Sequence, residues 1–171
     1  MIDGVIVKDI VRYPDERGFF EEIIRADECG FAIGQVSRAK QVSGLAKGWH
    51  ICQNLKEAYY VACGSVRVVL KDCRIGDFVK TTFVHRSPQT IFMVKYGLST
   101  TPNEYMEVVL GEYMPKSIVI PPGVAHGYKV LSECDMIYIA SHTYTQYRDD
   151  EGRIEPDRWL EHDWMREIEV K

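Results

Sequence analysis

Residues 44–64 read GLAKGWHICQNLKEAYYVACG: a Lys-Gly-Trp run leads into His50, a polar turn follows, and a β-rich segment ends at Gly64. About seventy residues further on, a second histidine, His126, lies in IPPGVAHGY. Histidines beside glycine turns, each bounding a β-like run, point to two strands facing one pocket. Whether a metal or a sugar fills that pocket is the central question.

Outward from this stretch the chain is β-rich. GVIVKDIVR is a strand, YPDERG a turn and FFEEII a further strand, while ADECGFAIG reads as a short helical or irregular piece closed by glycines. On the other side, SVRVVLKDCR alternates Val66, Val68 and Leu70 with polar neighbours, as a half-buried strand does. FVKTTFVH and QTIFMVKYG, joined by Arg-Ser-Pro, form a hairpin, and MEVVLGEYM, SIVIPPGVAHGYKVL and DMIYIASHTY complete the β set. Only the tail RWLEHDWMREIEV has helical spacing. Many short strands with Gly/Pro turns predict an all-β sandwich or barrel, a jelly roll being the natural candidate, with a short C-terminal helix. No repeat or linker divides residues 1–171, so one domain is expected.

The net charge of −4 leaves no basic excess for binding nucleic acid. Five scattered cysteines without CxxC spacing predict reduced thiols in a cytoplasmic protein. The N-terminus lacks the basic start and apolar core of a signal peptide, and no apolar run nears the roughly 20 residues that span a bilayer.

The metal reading rests on spacing. Gly44, His50, Glu57 and Gly64 match the cupin pattern G-x5-H-x-H-x4-E-x6-G, with Cys52 at the second histidine position. Pro121, Gly123 and His126 resemble the second cupin motif. A set of His50, Cys52, Glu57 and His126 mixes imidazole, thiolate and carboxylate, which zinc or iron accepts. The alternative is that Cys52 is a small buried hydrophobe.

A longer series of matches favours the sugar. Asp15-Glu16-Arg17-Gly18-Phe19-Phe20 with Glu22, then Gln35, Lys47-Gly48-Trp49-His50, Asp72-Cys73-Arg74, and Pro122-Gly123-Val124-Ala125-His126-Gly127-Tyr128 followed by Val130-Leu131-Ser132 occur in that order. Tyr138 and Tyr144 follow at a six-residue spacing. Together these resemble the dTDP-4-dehydrorhamnose 3,5-epimerase family, metal-free jelly-roll enzymes acting on 4-keto sugar nucleotides. In the pattern resembled, Lys47-Gly48-Trp49-His50 stands for Arg-Gly-Leu-His, and Tyr128 stands where Pro-x-Gly-x-Ala-His-Gly-Phe has its phenylalanine.

The resemblance implies a role for each residue. His50 is the base that removes a proton beside the ketone, a task suited to a side chain titrating near neutrality. Tyr138 is the acid that returns one on the opposite face. Arg17 and Lys47 fall at positions binding the nucleotide diphosphate, and Glu22, Gln35, Ser37 and His126 at substrate contacts. Tyr144 matches a tyrosine stacking on the base. The resemblance also implies a homodimer whose N-terminal strand carries Arg17 and Glu22 to the neighbour's pocket, and it implies no cofactor. Each residue has a plainer reading: Arg17 a charged turn, Tyr138 a core residue alternating with Met136, His126 a hydrogen-bonded core histidine. His85, His142 and His162 read as structural, and Tyr59 and Tyr60 as sheet packing.

Four departures from the family pattern stand out. Glu57 replaces a lysine, and Lys47 keeps the charge of an arginine without its bidentate fork. The chain ends at Lys171, short of the segment that supplies the family's carboxylate partner for the histidine, leaving Asp163, Glu167 or Asp72 as substitutes. Residues 76–98 read as an inserted hairpin. A double or single epimerase, a 4-keto sugar isomerase and a silent nucleotide-sugar binder all fit this pattern.

Overall fold

The computed structural model describes residues 1–74, 105–146, 150–153 and 163–164, together with the backbone of 78–84 and 91–97. Its strands, in chain order, are β1 (Ile6–Asp9), β2 (Arg12–Asp15), β3 (Gly18–Glu21), β4 (Gln35–Gln41), β5 (Ala46–Cys52), β6 (Glu57–Asp72), β7 (Phe78–Val84), β8 (Ile91–Gly97), β9 (Met106–Gly111), β10 (Lys116–Ile120), β11 (Val124–Ala140) and β12 (Glu151–Arg153). Among the described residues the helix α1 (Ala26–Cys29) is a single turn, closed by Gly30 in the left-handed conformation.

β6 and β11 pair antiparallel along their whole length and organise the rest. Their first and last halves respectively, Glu57–Cys63 and Cys134–Ala140, are flanked by β10 with β1 and by β4. The remaining halves are flanked by β9 and by β5 with β12. Eight strands thus make one continuous antiparallel sheet folded upon itself, the jelly roll expected of the pattern.

The sequence reading ends a strand at Gly64 and separates GYKVL from DMIYIA; the structure runs through both places. Gly64 is a bend inside β6, at φ +75, and a Cβ there would lie 2.0 Å from the Glu133 carbonyl oxygen. Only glycine admits that approach, and opposite it the register of β11 shifts between Val130 and Met136.

Period-two alternation explains the packing. Tyr59, Val61, Val66, Val68 and Leu70 of β6 and Tyr128, Val130 and Met136 of β11 fill the space between the two halves of the sheet. Each fully buried Val or Leu contributes about 1.5–3 kcal/mol. The intervening residues face outward and need cover. Val69, Cys73 and Ala125 pack with Trp49, Ile51 and Trp164 at one end. At the other, Ala58, Val119 and Ile139 receive Cys29 of α1 with Ile23, Ile24 and Phe31 around it.

Two ribbons stand apart from the large sheet: β2–β3 and β7–β8. Arg12 ties β2 to Glu21 of β3 (2.8 Å) and to the Glu112 carbonyl (2.6 Å), and Glu21 also receives the Tyr60 hydroxyl. The paired backbones of β7 and β8 lie in the stretch 76–98. The helical spacing of the tail lies outside the described residues, apart from Asp163 and Trp164, as do His85, His162 and Glu167.

Candidate active site

The site begins with β5. Trp49 and Ile51 are buried on its outer side, so His50 and Cys52 face the interior of the roll. β12 pairs with β5, setting Glu151 opposite Cys52, and Glu151 Oε1 lies 2.8 Å from His50 Nδ1. Asp150 anchors this arrangement: its buried carboxylate accepts from the backbone N–H groups of Asn54 and Leu55 and from the Asn54 amide. A carboxylate facing Nδ1 favours the tautomer with its proton there, leaving Nε2 as the lone-pair atom.

Among the described residues the carboxylate beside His50 is therefore Glu151, not Asp72 or Asp163 as read from the sequence; Glu167 lies outside the described residues. Asp72 instead binds Arg74, 2.7 Å from its Nη2, and Asp163 is exposed. No motif surrounds Glu151; the pairing of a three-residue strand puts it in place.

Directly across the sheet from His50 is His126, with the two ring centroids 5.9 Å apart. His126 is buried; its Nδ1 is 3.0 Å from the Val124 carbonyl and its Nε2 is 3.0 Å from Glu57 Oε2. The Nε2 contact lies off the N–H direction, making it an ion-pair contact rather than an aligned hydrogen bond. Burial pulls the His126 pKa down, but the Glu57 carboxylate outweighs it, so the net direction is upward. Glu57 also accepts from the Tyr59 hydroxyl at 3.4 Å and lies 4.0 Å from Cys52 Sγ.

His50, Cys52, Glu57 and His126, the four candidate metal ligands, are thus neighbours. Yet Glu151 and the Val124 carbonyl engage one nitrogen of each histidine, and among the described residues no group of three or more His, Cys, Asp or Glu is arranged to hold a metal ion.

Tyr138 lies on β11 between Ser37 of β4 and Tyr59 of β6. Its hydroxyl is 2.6 Å from that of Tyr128, and Gln41 Nε2 donates to it at 3.4 Å. Burial pushes the Tyr138 phenol above the ordinary tyrosine value, while hydrogen bonds with Tyr128 and Gln41 pull it back. The Tyr59 ring meets Tyr138 edge-on at 5.1 Å and His126 at 5.7 Å. Tyr59, read from sequence as sheet packing, thus joins the two halves of the site, and a continuous wall runs from His50 through His126 and Tyr59 to Tyr138.

Gln35, Ser37 and Tyr144 also come together. The Gln35 amide donates to Ser37 Oγ at 2.9 Å, and its oxygen accepts from the Tyr144 backbone N–H at 3.0 Å. The Tyr144 ring is exposed. Lys47 is exposed on β5, opposite Tyr128. Arg17 and Glu22 are elsewhere: Arg17 sits in the β2–β3 turn with Nη2 2.6 Å from Asp15, and Glu22 is exposed just past β3.

No family model matches the sequence. The chain is 34% identical over 157 residues to the spore coat polysaccharide biosynthesis protein SpsL of Bacillus subtilis, covering 90% of this chain and 89% of that protein. It superimposes on the dTDP-6-deoxy-D-glucose-3,5-epimerase RmlC of Legionella pneumophila, solved with dTDP-4-keto-L-rhamnose, with a TM-score of 0.73 and 26% identity, covering 99% of this chain and 83% of that one. The chain belongs to the dTDP-4-dehydrorhamnose 3,5-epimerase family. The low identity marks it as a divergent member. NovW of Streptomyces spheroides, a 4-keto-6-deoxy sugar epimerase, shares the fold at a TM-score of 0.73 and 21% identity, over 99% of this chain and 78% of its own.

Proposed function

We propose that the protein is an epimerase that inverts one or both carbons flanking the ketone of a nucleotide-linked 4-keto-6-deoxy sugar. The observation that supports this reading is the chain of ring contacts, through His126 and Tyr59, that has the His50–Glu151 pair at one end and the Tyr138 phenol at the other. A ketone acidifies the C–H bonds beside it. His50, with Nδ1 turned to Glu151, takes such a proton on Nε2, and the Glu151 charge stabilises the imidazolium that forms. Tyr138 then protonates the enolate from the other face, which inverts the centre. The step needs a base and an acid, and no metal.

Charge around the enolate differs from the pattern resembled. Glu57 replaces a lysine, but its carboxylate favours the charged form of His126, which supports His126 as a cation for the developing oxyanion. Gln35, Ser37 and Lys47 contact the substrate, and the exposed Tyr144 ring stacks on the nucleotide base.

The active form is a homodimer in which the β2–β3 ribbon reaches the neighbouring pocket with Arg17 and Glu22. In support, the ribbon presents Tyr13, Phe19 and Phe20 to solvent, apolar surface that a partner would cover. Five free cysteines, four of them buried, fit work in a reducing cytoplasm.

His50→Asn and Tyr138→Phe test the assignment. Each is expected to lower turnover by about 10²-fold or more with thermal unfolding and dTDP binding preserved. Full turnover in His50→Asn contradicts it.

A further inference from the structure

The Tyr128 hydroxyl has no part in the chemistry assigned so far. Tyr128 is 3% exposed, and packing against Tyr59 and the β6 valines requires only its ring. The phenylalanine of the resembled pattern satisfies that packing. The added oxygen is 2.6 Å from the oxygen of Tyr138, at the short end of O–H···O distances. The two tyrosines lie on one strand, either side of the register shift that bends β11, and the bend brings their inward side chains tip to tip.

We infer that Tyr128 is a positioning residue for proton donation: its hydroxyl donates to the Tyr138 oxygen and, with Gln41, leaves the Tyr138 proton free to point at the sugar. This rests on the proposed function for its chemical meaning. The 2.6 Å contact admits either hydroxyl as donor; with Tyr128 donating beside the Gln41 amide, the single proton of the Tyr138 phenol is directed elsewhere. When the enolate carbon takes the proton, the carbon–carbon π pair becomes the new C–H bond and the O–H pair stays on Tyr138 as a tyrosinate. The Tyr128 O–H and the Gln41 N–H then stabilise that anion until water reprotonates it, while His50 returns its proton to water. The surrounding groups oppose the anion. Glu57 and Tyr59 face Tyr138 from β6, and Cys134 lies on its own strand; β4 contributes the neutral Gln41. The two hydrogen bonds therefore act against burial and negative neighbours, which makes their loss measurable.

The test is Tyr128→Phe in the full chain, read in two ways. In protein labelled with difluorotyrosine to bring the phenols into range, fluorine NMR follows the Tyr138 titration without any substrate. Removing a donor to the anion raises that pKa, by about one unit or more; an unchanged value overturns the inference. In D2O with dTDP-4-keto-6-deoxyglucose, inversion is expected to slow about tenfold or more, with KM unchanged and loss of the substrate proton slowed less. A purely structural role slows both steps alike, and equal slowing overturns the inference. Should Tyr128→Phe fail to fold, Gln41→Leu is expected to move both readings in the same direction, and no movement there overturns the inference. If the native protein exchanges no proton of this sugar, the proposed function fails, while the fluorine titration still decides whether Tyr128 donates to Tyr138.

Discussion

His50 and His126 face each other across β5 and β11 with ring centroids 5.9 Å apart, and each has its own glutamate: Glu151 at 2.8 Å and Glu57 at 3.0 Å. The two pairs differ in setting. His50 is a quarter exposed and open to a ligand, whereas His126 is buried with both nitrogens engaged. The first setting suits the proposed proton transfer, and in the second the Glu57 carboxylate favours the charged imidazole.

Glu151→Gln keeps the size and the hydrogen-bonding oxygen but removes the charge that stabilises an imidazolium. Turnover is expected to fall about 10²-fold with KM little changed, as measured by steady-state kinetics on the 4-keto sugar nucleotide. Unaltered kcat would mean that Glu151 only packs against the histidine.

Asp150→Ala reaches the same dyad indirectly. It removes the acceptor for three donors in the turn at Asn54 and Leu55, with an expected cost of about 1.5–3 kcal/mol in chemical denaturation. It also loosens β12, so activity falls further than Asp150's distance from the reacting atoms suggests.

Glu57→Gln tests the buried pair through pH. Glu57 raises the folded-state pKa of His126 above the ordinary value of about 6.5. Stability from that shift is fully present below the unfolded value and is lost as pH rises through the folded one. Thermal denaturation is therefore expected to show a larger deficit for Glu57→Gln near pH 6 than near pH 9. An equal deficit at both would mean that His126 is neutral in the fold.

Gly64→Ala puts a Cβ 2.0 Å from the Glu133 oxygen at a left-handed position, so a loss of about 3 kcal/mol is expected in urea unfolding. Replacing Phe19 and Phe20 by serine is expected to turn the proposed dimer into a monomer in sedimentation and to abolish turnover. An unchanged dimer would remove the β2–β3 ribbon from the interface.

Much of this was legible beforehand because it is local. Alternating valines announce β6, Pro-Pro-Gly announces the turn before His126, and the spacing from Tyr138 to Tyr144 survives because both flank the end of one strand. What escaped depends on pairing between distant segments. Glu151 is about a hundred residues from His50 and sits in a polar run without periodicity; only its register with β5 gives it meaning. Gly64 read as a strand end because glycine usually interrupts strands, whereas here it permits a close crossing inside one. Tyr59 read as packing because its ring does pack, and nothing in the sequence shows where its hydroxyl, or that of Tyr128, points.

The most direct test of the central claim follows the dTDP-4-keto-6-deoxyglucose sugar protons by NMR in D2O with purified protein. The account predicts deuterium at C3, C5 or both, lost in His50→Asn. Binding of the sugar nucleotide with no deuterium incorporated at either carbon would contradict it.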